Sequence, residues 1–163
     1  MKAKKIIIIA IIAILALFAG FRVFGLYLSK TSEERRAFYD YVSSQGPWAE
    51  QSIWESSDKQ AYLLAEKSDD DSFATVTAYF YFEEAWHPFL MDLTYGNELV
   101  FADKTNDTMD SVFTSDVDFK DDIFTVKDLK PANEDGGMLP CDTYVFSRAA
   151  DYEELISQLP FEP

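Results

Sequence analysis

From Trp48 to Phe146 apolar and polar residues alternate with a period of two. That alternation predicts strands over 51–55, 60–66, 73–82, 86–95, 98–102, 111–115, 117–120, 123–126 and 143–147. Short polar runs separate them, among them Ser56-Ser57-Asp58, Ser68 to Asp71, Glu83-Glu84-Ala85, Gly96-Asn97, Asp103 to Asp110 and Asp121-Asp122. Closely spaced strands with short turns predict an antiparallel meander closed as a small β-barrel or sandwich, because closure removes exposed sheet edges. The period changes to that of a helix on both sides. Thr31 and Glu34 form a capping box, and Phe38, Tyr41, Val42 and Gln45 then share one side until Gly46-Pro47. Near the other end Asp151 is the N-cap, Tyr152, Leu155, Ile156 and Leu159 make an apolar face, and Pro160 stops the helix. The fold class expected is mainly β (α+β), with a flanking helix on each side.

Within "TAYFYFEEAWHPFLMDL" two strands turn at Glu83-Glu84-Ala85. Ala74, Val76, Ala78, Phe80 and Phe82 share one face, which reads as core, and Tyr79 and Tyr81 lie on the other. In the second strand Phe89, Met91, Leu93 and Tyr95 continue the apolar face. His87 has the parity of Phe89 and leans toward the core, whereas Trp86 lies on the opposite face. Pro88 has no N–H, so this part of the strand is expected at an edge or beyond the ladder.

The first thirty residues have another pattern. Lys2, Lys4 and Lys5 precede an apolar run, Ile6 to Leu28, broken only by Arg22. As a helix this run would span roughly 34 Å, enough for a bilayer's hydrocarbon core. A cleaved signal peptide is the alternative, but Leu17-Phe18-Ala19 and Val23-Phe24-Gly25 make poor cleavage sites. The expected organisation is a basic tail and transmembrane signal anchor (1–30), a juxtamembrane helix (31–46), a β domain (47–148), and a C-terminal helix and tail (149–163). The lipid bilayer is then the partner of residues 6–28, with the bulk of the chain outside the cytoplasm at the cell membrane.

Charge narrows the partners. From Thr31 onward there are nine basic against 29 acidic residues, a net of −20. Such a surface repels phosphate backbones, so no nucleic-acid partner is expected, and it stands off anionic lipid. The single cysteine, Cys141, excludes an intrachain disulfide and a cysteine-based zinc cluster. His87 is the only histidine, and no Gly-x-Ser-x-Gly elbow or second histidine accompanies it, so it reads as a packing residue. "DKTNDTMD" offers Asp103, Asn106, Asp107 and Asp110 but lacks the alternation and glycine of an EF-hand loop. No cofactor, no metal and no catalytic residues are expected, and the chain does not read as an enzyme. Tyr79, Tyr81 and Trp86 are the candidate binding residues: aromatics on a rigid sheet can anchor a ligand or a protein, unless a terminal helix covers them.

"WESSDKQAYLL", "AYFYFEEAWHPFLMDL", "VDFKDDIFTV" and "DTYVFSR", in that order, resemble a group of small exported or membrane-anchored proteins of Gram-positive gut bacteria that has no assigned activity. The resemblance implies the β fold and carries over no site residues. The function expected is a membrane-tethered, extracytoplasmic binding or protein-interaction module of unknown ligand, its partner an envelope protein or a small apolar ligand. The alternatives are a lipocalin-like carrier of a small apolar ligand and an envelope enzyme.

Overall fold

The computed structural model describes residues 2–67, 74–94, 97–104, 111–132 and 141–163, with side chains from Leu17 onward and without that of Ser111. The turns expected at Ser68 to Asp71 and at Gly96, Tyr95 of the expected apolar face, and Asn106, Asp107 and Asp110 of the acidic loop lie outside these residues. The chain divides into two compact units, Met1–Arg36 and Ala37–Pro163.

The first element, α1, is one helix over Lys2–Gln45. The expected break near residue 30 is absent, and this corrects the reading of Thr31 as a cap. Its hydroxyl donates to the Tyr27 carbonyl at 2.8 Å, one turn back inside the helix. Ser29-Lys30-Thr31 contains neither glycine nor proline, so nothing interrupts the backbone ladder. Among the residues whose side chains are described, from Leu17 onward, no helix is long and apolar enough to cross a membrane, and Ile6 to Ala16 lie outside that span.

In the second unit the last turns of α1 bring Val42, which is fully buried, into the core, with Phe38 and Tyr39 packed against it. Gly46 ends the helix, and its N–H donates to the Val42 carbonyl at 2.6 Å. A Cβ on Gly46 would stand 2.5 Å from that oxygen, so only glycine fits.

Eight antiparallel strands follow: β1 (Ser52–Ser56), β2 (Ala61–Lys67), β3 (Ala74–Phe82), β4 (Ala85–Leu93), β5 (Glu98–Asp103), β6 (Ser111–Lys120), β7 (Ile123–Pro131) and β8 (Tyr144–Arg148). Each pairs with the next, and β1 pairs with β8, so the sheet is a closed up-and-down barrel. The choice between barrel and sandwich is thereby made.

Two expected strands, 111–115 and 117–120, are one strand, and 123–126 extends to Pro131. The cause is a bulge. The register passes from Thr114↔Lys130 to Asp116↔Lys127, two residues on β6 against three on β7. Asp128 absorbs the extra residue at φ 52°. The alternation on β7 shifts there, so Val126 and Leu129 both reach the core.

Alternation elsewhere sorts the side chains cleanly. Trp54, Leu63, Ala78, Phe80, Phe101, Phe124, Tyr144 and Phe146 belong to the interior core. Their neighbours Ile53, Tyr62, Leu64 and Tyr79 form a second apolar cluster on the outer face of β1–β3. In the interior, Trp48 meets Phe124 edge-on at 5.7 Å, and Phe80 contacts Phe89, Phe101 and Tyr144 at 5.0–5.9 Å between centroids. Rings at these separations fill an eight-stranded barrel with side chains. The final helix α2 is short, Tyr152–Ile156, with Asp151 as its N-cap accepting from the Glu154 N–H at 3.1 Å.

Candidate functional site

The outer face of β2–β4 is built in rows by the antiparallel register. Tyr62 pairs with Tyr79, and Tyr79 with Pro88. The next row carries Tyr81 opposite Trp86. All these residues point the same way because side chains alternate along each strand. Trp86 reaches from its row to Tyr62 (5.5 Å between centroids) and to Tyr81 (5.2 Å). The three sequence-predicted residues are therefore together, and Tyr62 completes the set.

The face is occupied. After α2 the chain runs through Leu159 and Pro160 to place Phe161 between these rings. Phe161 stacks on Tyr79 at 4.0 Å, lies 5.0 Å from Trp86 at a tilt, and meets Tyr62 edge-on at 5.7 Å. Tyr152, Leu155, Ile156 and Leu159 cover the rest of the cluster. Tyr79 is consequently buried at 4% exposure, while Tyr81 and Trp86 remain half-buried at the open side of the notch.

Sequence reasoning missed Tyr62 and Phe161. Tyr62 carried a signal: Ala61 to Ala65 is apolar on both faces, which a strand wet on one side does not need. Phe161 carried none, because a single aromatic beyond a helix-stopping proline has no periodicity.

The electrostatics follow from burial. The Tyr62 hydroxyl donates to Glu55 Oε1 at 3.0 Å. Burial, then this hydrogen bond and the charge of Glu55, push the Tyr62 phenol up to about 12. Burial also raises Tyr79, with the negative charge of Glu66 adding to it. Neutral phenols with raised pKa values suit apolar and aromatic contact.

The other singled-out residues lie elsewhere. His87 stacks on Phe82 at 3.9 Å, with planes 22° apart. Its Nε2 is buried and has no hydrogen-bond partner among the described residues. Pro88 is paired with β3, so it does not lie beyond the ladder altogether. On the other side, the β4–β5 register begins one residue later at Phe89↔Asp103, so the missing N–H falls where that pairing ends. Cys141 is half-buried, and its thiol donates to the Thr143 carbonyl at 2.9 Å. Among the described residues no group of three or more His, Cys, Asp or Glu is placed to hold a metal ion. Two solvent-open hollows of about 590 and 530 Å³ are lined by other residues, Arg148 and Asp121 in one, Trp48 and Met91 in the other.

Comparison of the chain with protein-family models, with curated proteins and with solved structures finds no match in any of the three.

Proposed function

We propose that this protein is a membrane-tethered, extracytoplasmic interaction module: α1 holds it in a bilayer, and the barrel meets a protein partner at the aromatic notch, where Tyr81 and Trp86 stay partly exposed beside the covering C-terminal segment. The observation that carries the tether is the exposure of Leu17, Phe18, Phe21, Val23, Phe24, Leu26, Tyr27 and Leu28 on one continuous helix. These side chains surround the helix, and Ile6 to Ala16 continues the apolar run in sequence. A helix apolar on every side needs an apolar solvent. Support for binding rather than catalysis is the concentration of organised aromatic surface in the notch, while His87 is taken up in stacking on Phe82. A ligand inside the barrel has less support, since Trp54, Phe80, Phe101, Tyr144 and Phe146 pack there.

Alkaline carbonate extraction tests the tether. The chain should stay with the membranes, and Leu17→Glu with Phe21→Glu should release it. Cys141, half-exposed and the sole thiol, reports the side. An impermeant maleimide should label it in intact cells or, behind an outer barrier, in spheroplasts. Labelling only after lysis of the inner membrane would put the barrel in the cytoplasm and sink the reading.

A further inference from the structure

The C-terminal segment is a loose cover on a well-made groove. What it covers is fully withdrawn from water: Ile53, Tyr62, Leu64 and Tyr79 are all below a tenth exposed. What does the covering is not. No residue of α2 is buried, and Leu155, Ile156, Leu159 and Phe161 each keep part of their surface in solvent. A helix of one and a half turns with no buried side chain belongs to the low-stability end of a fold.

The cover is also wrongly charged for its seat. From Asp151 to Pro163 it carries Asp151, Glu153, Glu154 and Glu162 and no basic residue. Around the groove stand Glu55, which is paired with Lys59 at 3.5 Å, and Glu66, with Glu83 and Glu84 at the hairpin beyond Trp86 and Lys104 donating to Thr77 at 3.4 Å, so these four carboxylates outnumber the two lysines and their sum is acidic. Like charges oppose the contact, while the aromatic stacking and covalent attachment favour it. Attachment alone supplies a high effective concentration, so the segment needs little intrinsic affinity.

We infer that the Tyr62–Tyr79–Trp86 notch is a peptide-docking site that the chain's own Phe161 occupies at rest, and that its partner is a protein segment presenting an aromatic side chain among basic residues. The seated Phe161 defines the aromatic requirement and the acidic rim defines the charge. Half-exposed Tyr81 and Trp86 give the incoming segment a first foothold before the tail leaves. This deepens the binding-module reading by naming the surface and the chemistry of the partner.

The test uses the full chain in detergent micelles and fluorescent synthetic peptides of residues 151–163. One peptide has the natural sequence, one has its four acidic residues changed to lysine, and a third is the lysine peptide with its phenylalanine changed to alanine. Phe161→Ala protein should bind the lysine peptide roughly tenfold more tightly than wild-type protein does, because the tethered competitor is weakened. The lysine peptide should outbind the natural one, with the gap closing as salt is added. Glu162→Lys protein, whose tail better fits its own seat, should bind the lysine peptide less well than wild type, and this variant leaves every packed side chain in place. Equal binding of the alanine peptide, or equal affinities of wild-type and both variant proteins, would overturn the inference. So would a concentration-dependent dimer that dissociates on Phe161→Ala, since the occupant would then be a second copy. Peptide binding in micelles is independent of the side of the membrane that Cys141 reports, so the tether and the groove fail separately.

Discussion

Phe161 lies face to face on Tyr79, centroids 4.0 Å apart and planes 16° from parallel, although 82 positions separate them. The contact turns an aromatic sheet face into a second small core. It also puts Trp86 within 5.0 Å of the same ring. Phe161→Ala should cost about 2 kcal/mol, below the range for a fully buried phenylalanine because Phe161 is half-buried. The fluorescence of Trp86 should shift red, while Trp48 and Trp54, in the interior core, should not respond. Emission spectra of the variant beside a Trp86→Phe control check this.

Gly46 tolerates no side chain. A Cβ 2.5 Å from the Val42 carbonyl oxygen would force the helix end away from the barrel core that Val42 fills. Gly46→Ala should lower stability by about 2 kcal/mol or more, as an overpacked site does. Urea unfolding followed by circular dichroism measures it, and an unchanged midpoint would show that the junction can shift freely.

Two hairpins turn on residues ill suited to their backbone. Glu83 and Glu84 (φ 50° and 63°) and Asp121 and Asp122 (φ 52° and 60°) all adopt the left-handed region. Two-residue turns of this kind favour Asn-Gly, and here each also sets two carboxylates side by side. Asp121→Asn with Asp122→Gly should stabilise the chain by about 1 kcal/mol, and Glu83→Asn with Glu84→Gly by at least as much, since glutamate tolerates the region less well than aspartate. Thermal melts of the two variants, alone and combined, would read the gains.

Ser115 points into the barrel, 2% exposed, with no hydrogen-bond partner for its hydroxyl among the described residues. Removing the unpaired oxygen by Ser115→Ala should raise stability by about 1 kcal/mol. A loss of stability would mean that the hydroxyl has a partner inside the barrel.

Alkaline pH should weaken the fold from about pH 10. The Tyr62 phenol, raised from 10.0 to about 12, holds its proton more tightly folded than unfolded. Its contribution is therefore whole below pH 10 and is lost as pH rises through about 12. Tyr79 and Tyr144 are raised as well, chiefly by burial, and act in the same direction. Tyr62→Phe should flatten the fall between pH 10 and about 12. It should also cost about 1 kcal/mol at pH 8, where the hydrogen bond to Glu55 is missing. Urea midpoints across that range decide it.

The period-two alternation was enough to locate β1 to β5 and β8 within a residue or two and to assign Phe80, Phe89 and Val76 to the interior, because burial on one face of a pleated strand leaves that imprint directly. It also put Tyr79, Tyr81 and Trp86 on one outer face. It failed at Asp128, where one extra residue in the left-handed region shifts the alternation and hides the second half of β7. The capping-box pattern failed at Thr31, which lies inside an unbroken helix, since nothing local stops the backbone there. Closure of the sheet depends on the pairing of β1 with β8, about ninety residues apart, and no local pattern encodes a partner at that distance. The same holds for the candidate site. The residues of the aromatic face are legible along the strands, but that Phe161 fills it is a contact across 75 to 99 positions, decided only when the barrel brings β2, β3 and β4 beneath the segment after α2.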